Sequence, residues 1–300
     1  MSLKQPFEVS MRKFREAVEG IKEESIRIKM QIAYLLAARN CEITTKVSEK
    51  ELLDHRSRNY GVFMHLDFRD FIIQPTESQG IQLGLKEPFQ QKVLVVRVAV
   101  AKRGKRVRTK DRGNENLIEV TAEETEKALT SYKQTELLKK WKAGQVQVDP
   151  LLVKVLNGDV HLRYVALPCS INYEPWIVGI LKWQQTHSTE NLSFAITRRT
   201  FYRIYREALK DILPPIHPHG KDSMKNPLRH IRISHLLEYY GLTPYELNAY
   251  TGWSLAGIFS QLGQAVSGNL ELYSHLSWRM YVPKLCVPMS KFIGTVQVAA

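Results

Sequence analysis

The sequence predicts a mainly α fold carrying a small antiparallel sheet. Three observations predict it: apolar residues recur at three- and four-residue intervals over several stretches, a valine-rich run leads into a glycine-centred turn, and capping signatures stand at Thr121 and Thr243. From Phe7 to Leu36 the residues Met11, Phe14, Val18, Ile21, Ile28, Ile32, Leu35 and Leu36 keep the helical spacing with charges between them, which reads as one or two amphipathic helices. Val93 to Ala101 reads as a strand. The turn Lys102-Arg103-Gly104-Lys105 leads on to Val107 and to Leu117-Ile118-Glu119-Val120, an antiparallel hairpin with a third strand. Thr121 can accept a backbone N–H while Glu124 reaches back to the cap, and Gly144 closes the far end, so one long helix is expected from about Ala122 to Ala143.

Between Gln145 and Asn191, Val160 to Leu167 and Ile177 to Trp183 have strand-like composition, interrupted by Asn157-Gly158, Pro168 and Pro175. This segment takes no assigned role. Phe201, Ile204, Tyr205, Ala208, Leu209 and Ile212 restore the helical period until Pro214-Pro215 stops it. Asn226-Pro227 opens a further helix that ends before Gly241, because Asn favours the N-cap and Pro the first helical position. Thr243-Pro244-Tyr245-Glu246 is a second capping box, giving a short helix that stops near Gly252. There is no internal repeat and no low-complexity tract.

Composition narrows the function. The 300 residues are 44% hydrophobic and 24% charged, within the globular range. The longest apolar run, Val93 to Ala101, is interrupted by Arg97 and is far shorter than the roughly 20 residues of a membrane span. No signal-like segment opens the chain, so a cytoplasmic location is expected, with no membrane partner. Cys41, Cys169 and Cys286 are odd in number and far apart, which argues against a disulfide framework or a cysteine metal site. The 43 Lys and Arg outnumber the 30 Asp and Glu to give +13, the footprint of a protein with a polyanionic partner, nucleic acid first among them. The span Arg229 to Trp253 has the outline of a helix-turn-helix reader, but its second helix offers Glu246 and Asn248 for exposure and no Arg or Lys to position phosphates.

Five stretches in order carry a more specific pattern. They are Ile32-Ala33-Tyr34-Leu35-Leu36-Ala37-Ala38-Arg39-Asn40-Cys41-Glu42, then Val96 to Arg106, then Asn226-Pro227-Leu228-Arg229-His230, then Thr251-Gly252-Trp253-Ser254, and finally Leu272-Tyr273-Ser274-His275. Together they resemble the catalytic domain of the tyrosine recombinase and phage-type integrase family, over roughly residues 25 to 280. The family's apolar helix runs into a Thr-Gly-x-Arg-x-x-Glu turn, with alanines here in place of the Thr-Gly pair. Its lysine-bearing hairpin, His-x-x-Arg-His box, Leu-Gly-His/Trp-Ser element and Tyr-x-His element follow in the same sequence. Asn226 stands where the box usually begins with histidine, and the long stretch from Trp253 to Tyr273 looks like the divergent members from archaea and their mobile elements.

The resemblance implies a tyrosine recombinase catalytic-domain fold and a site-specific recombinase or integrase, cleaving DNA through a covalent 3′-phosphotyrosine. Tyr273 would be the nucleophile, with Tyr281 and Tyr250 as alternatives. Arg39 and Arg229 would bind the scissile phosphate, which suits guanidinium groups that stay charged and pair oxygens bidentately. Arg229 also falls near the third residue of its helix, where free N–H groups favour an anion. Lys102, or failing it Lys105, would protonate the leaving oxygen, and Glu42 would hold Arg39. Neither Asn226 nor Trp253 supplies an imidazole; Asn226 could donate to a phosphate oxygen or cap its helix, and Trp253 could offer its indole N–H or pack. Seven of the eleven residues from Lys102 to Arg112 are basic, so Arg103, Lys105, Arg106 and Arg108 are expected on DNA phosphates.

No metal and no cofactor are implied. The partners implied are double-stranded attachment sites and three further copies in a tetramer on DNA. One catalytic domain over residues 1–300 is expected, with 1–24 as a helical lead-in, 145–191 as an insertion and 254–300 as a flexible arm and tail bearing Tyr273. The same residues would serve a topoisomerase IB-like strand relaxation, and a non-catalytic DNA-binding protein derived from the fold is the competing class.

Overall fold

The computed structural model describes residues 9–43, 71–73, 92–99, 120–148, 153, 156–157, 162–187, 196, 198–213, 226–252 and 280–294. Within them the fold is mainly α with a small open antiparallel sheet. The described chain opens with two helices, α1 (Met11–Glu19) and α2 (Glu24–Leu35), and a short α3 (Asn40–Ile43) follows. Ser10 caps α1 by accepting the Lys13 N–H, and Met11, Phe14 and Val18 form its buried stripe.

The sheet has the order β1 (Phe71–Ile73), β2 (Val93–Ala99), β3 (Leu162–Pro168). Its centre is the valine-rich run, where Val93, Leu94, Val95, Val96 and Val98 are all buried. Phe71 pairs with Val96, and Val98 pairs with Arg163. Val160 to Leu167 therefore does contain a strand, and it is the neighbour of β2. The expected turn at Lys102 and the strand at Leu117 to Glu119 lie outside the described residues; Val120 is irregular backbone before the Thr121 cap.

Two expectations for the middle of the chain are corrected. The single long helix is two, α4 (Ala122–Ser131) and α5 (Thr135–Lys142), broken where Lys133 takes φ 53° and the Gln134 N–H reaches back to the Leu129 carbonyl. The turn folds α5 back on α4 so that Leu129 and Leu137 are both buried. The capping box on Thr121 and Glu124 forms as expected, and Gly144 sits at φ 69°. Ile177 to Trp183 is helix rather than strand: α6 (Pro175–His187) begins with Pro175 in the first turn, where its missing N–H costs nothing. Trp176, Ile177, Ile180 and Trp183 give it a buried helical stripe.

The remaining helices are α7 (Arg198–Ala208), α8 (Pro227–Glu238), α9 (Pro244–Thr251), α10 (Val282–Leu285) and α11 (Ser290–Ile293). One apolar core takes residues from α1, α2, the sheet, α6 to α9 and the 281–289 tail. Tyr281 illustrates how the tail is tied in. Its phenol accepts the Ala166 N–H at 2.9 Å and donates to the Tyr164 carbonyl at 3.5 Å, so it occupies backbone groups on the edge of β3.

Polar groups are buried in this core in pairs. The Arg15 Nη2 meets both oxygens of Glu174 at 2.7 and 2.6 Å beneath the Trp176 ring. Arg232 on α8 lies among the rings of Tyr34, Tyr240 and Tyr250 and donates to the Tyr250 hydroxyl at 3.1 Å. His235, one turn further along, contacts the Val9 carbonyl through Nε2 at 2.6 Å and the Tyr34 hydroxyl through Nδ1 at 2.7 Å. A carbonyl only accepts, so Nε2 carries the proton and Nδ1 accepts from tyrosine. The Arg232 and His235 contacts fix α8 against α2 and the chain entering α1.

Candidate functional site

At the C-terminus of α2 the chain turns sharply into α3. Ala37 adopts φ 43° there, an unusual conformation for a residue with a side chain; N–H groups of the turn close on the Ile32, Ala33 and Tyr34 carbonyls, while those of Leu35, Leu36 and Ala37 take partners from elsewhere. Side chains distant in sequence satisfy them. The Tyr250 hydroxyl donates to the Leu35 carbonyl, Arg163 Nη2 donates to the Leu36 carbonyl at 2.7 Å, and Arg229 Nη1 donates to the Ala37 carbonyl. The turn that presents Arg39 is thus built by residues from β3, α8 and α9.

Three guanidinium groups then converge on one buried carboxylate. Arg39 Nη1 donates to Glu42 Oε1 at 2.6 Å and the Arg39 N–H to Oε2 at 2.9 Å. Arg163 Nη2 reaches Oε2 at 3.3 Å, and Arg229 Nη1 stands 3.8 Å from it. Burial by itself pushes the Glu42 carboxyl up, but the charges of Arg163, Arg229 and Arg39 and the Arg39 N–H overcome it, and the net shift is downward. Glu42 is therefore ionised at neutral pH, and three positive charges face one negative. Arg39 has the most open side chain of the three, 14% exposed against 3% for Arg163 and 5% for Arg229.

Asn226 occupies the N-cap position of α8 but makes no capping hydrogen bond. Its Oδ1 instead accepts the Asn40 N–H at 3.1 Å, and Asn40 Nδ2 donates to the Tyr205 hydroxyl at 3.1 Å, so α3, α7 and α8 are joined beside the carboxylate. Arg229 is the third residue of α8, as the spacing predicts. The second capping box forms on Thr243 and Glu246, and α9 ends at Gly252 in the left-handed region, φ 65°. Glu246, expected on an exposed face, is buried and meets Lys284 at 2.7 Å. Arg229 and Arg232 on α8 are also buried, an arrangement unlike a helix pair presented to a DNA groove.

The structure thus brings together Arg39, Glu42, Asn226 and Arg229, which the sequence singles out from regions nearly 190 residues apart. Lys102, Arg103, Lys105, Arg106, Arg108, Trp253 and Tyr273 lie outside the described residues. Two of their chain neighbours are at the site: β2 leads towards Lys102 from the end where Val98 faces Arg163, and Gly252, which precedes Trp253, packs on the Arg163 stem. Tyr250 and Tyr281, the alternative nucleophiles, are fully buried, and burial pushes both phenols up.

Sequence reasoning missed Arg163. The signal was a lone arginine within the apolar strand Leu162-Arg163-Tyr164-Val165-Ala166-Leu167, where a charged residue is retained only against a partner. No cluster of metal-ligating side chains occurs among the described residues, and none of their helices is long and apolar enough to cross a membrane. No family model, no curated protein and no solved structure matches the chain.

Proposed function

We infer that the chain is a DNA strand transferase of the tyrosine recombinase type, acting as a site-specific recombinase or integrase. The observation that carries this reading is the gathering of Arg39 and Arg229 on the shared Glu42 carboxylate, with Asn226 bonded to the N–H of Asn40, the residue after Arg39. Two arginines held by one acid retain excess positive charge, and a phosphodiester supplies the complementary anion. The Tyr273 phenol gives its proton to solvent water as its oxygen attacks phosphorus, the bond from phosphorus to the 5′-oxygen breaks, and Lys102 gives its proton to that oxygen. The 3′-phosphotyrosine keeps the energy of the diester, so attack by a 5′-hydroxyl reverses the step without a nucleotide cofactor.

Arg39 and Arg229 stabilise the charge that grows on the non-bridging oxygens, and the Asn226 amide nitrogen offers further donors. The burial of Tyr250 and Tyr281 favours Tyr273 as nucleophile, because a phenol enclosed in the core cannot reach a duplex. The basic stretch from Lys102 to Arg112 would follow the DNA backbone, and exchange between two duplexes calls for a tetramer. The test is a nicked suicide duplex bearing the attachment sequence, or supercoiled plasmid, scored for a detergent-stable protein–DNA adduct. The wild-type chain forms the adduct and Tyr273→Phe does not. Tight duplex binding with no adduct overturns the enzyme reading in favour of a DNA-binding relative without catalysis.

A further inference from the structure

Arg163 belongs to none of the five sequence stretches, yet their supports converge on it. It is buried, opposite Val98 in the sheet. Nη2 donates to the Leu36 carbonyl at 2.7 Å, to Glu42 Oε2 at 3.3 Å and more weakly to the Ala37 carbonyl at 3.5 Å. Nη1 donates to the Tyr250 carbonyl at 2.8 Å. One planar fork therefore ties the end of α2, the acid of α3 and the last turn of α9, a span that a single ammonium cannot cover.

Gly252 supplies an independent observation. A Cβ added there would lie 2.8 Å from Arg163 Cδ and 3.1 Å from its Cβ, so the glycine makes room for this arginine as well as for the turn. The charge geometry says what the fork does. With Arg163 on Oε2, Glu42 meets Arg229 at only 3.8 Å, beyond hydrogen-bond distance. Without Arg163, Glu42 Oε2 and the Leu36 and Tyr250 carbonyls all lose a donor, so the acid and the turn that carries Arg39 are no longer held in register with α9.

We propose that Arg163 is a positioning residue of this site, holding Glu42 and the α2–α3 turn so that Arg39 and Arg229 face a phosphodiester. The proposal rests on the reading of those two arginines as phosphate ligands. Arg163→Lys keeps the charge and loses the fork, while Arg163→Ala with added guanidinium ion restores the fork without the chain. Two readouts are taken on the full chain: the single-turnover adduct rate at saturating duplex, and binding of inorganic phosphate without DNA.

Arg163→Lys, folded by circular dichroism and binding duplex within about threefold of wild type, forms adduct roughly tenfold to a hundredfold more slowly. Its phosphate affinity falls about fivefold or more. Guanidinium restores Arg163→Ala and leaves Arg163→Lys unchanged. Wild-type adduct rate and phosphate affinity in folded Arg163→Lys overturn the proposal and leave the enzyme reading intact, and so does a rate loss that merely tracks lost helicity. A wild-type chain that forms no adduct but binds phosphate in an Arg163-dependent way overturns strand transfer and keeps the positioning role. A wild-type chain that does neither overturns both.

Discussion

Replacing a left-handed glycine costs more when a side chain there would also collide. Gly241 and Gly252 separate these two effects, at φ 59° and 65° respectively. A Cβ at Gly241 meets nothing within 4 Å, whereas at Gly252 it meets the stem of Arg163. Gly241→Ala is expected to cost about 1–2 kcal/mol in urea unfolding, the backbone penalty alone, and Gly252→Ala at least about 1 kcal/mol more. Glu42 carries a pH prediction of definite sign. Its folded pKa is depressed, so its contribution is complete above the ordinary carboxylate value of 4.5 and is lost as pH falls through the folded value. Glu42→Gln should therefore flatten the acid limb of the stability profile below about pH 4.5. At this scale Arg39, Glu42 and Arg229 were legible because motif spacing marks them. Arg163 was not, since its partners lie far away in the chain and only folding assembles them.

The helices show where local pattern suffices. Both capping boxes and the helix ends at Gly144, Gly241 and Gly252 follow from short-range chemistry and formed as read, and α8 starts at Pro227 as expected although Asn226 turns its amide to Asn40 rather than capping the helix. The break at Lys133 and the helical nature of Ile177 to Trp183 depend on packing: a hairpin of α4 and α5 buries Leu129 with Leu137, and the apolar run of α6 enters a core that accepts either period. The element α8 makes its own prediction through His235, whose pKa is lowered from 6.5 to about 4, first by burial and then by the charges of Arg232 and Arg15. The unfolded chain binds this proton first, so stability is complete above about pH 6.5 and falls as pH drops towards 4, by as much as about 3 kcal/mol. Chemical denaturation between pH 7 and 4.5 measures it. His235→Gln, if folded, loses that slope while keeping the acid limb set by Glu42.

The whole molecule carries +13, and its candidate site keeps three cations on one acid. If duplex DNA is the partner, its affinity declines linearly with salt on logarithmic axes, by about 10³–10⁵ between roughly 50 and 200 mM for some 6–10 phosphate contacts. A flat salt response would remove nucleic acid as partner. The coarse fold and half of the site could be read from the chain because both rest on periodicity and motif order, whereas the supporting shell is made of backbone carbonyls that no sequence displays. If the chain transfers DNA strands, Tyr273 carries the phosphate bond. Peptide mapping by mass spectrometry of the adduct trapped on a nicked duplex decides this. A single nucleotide-modified tryptic peptide with the linkage on Tyr273 is expected; a linkage on any other residue, or duplex bound without linkage, would rule Tyr273 out as the nucleophile.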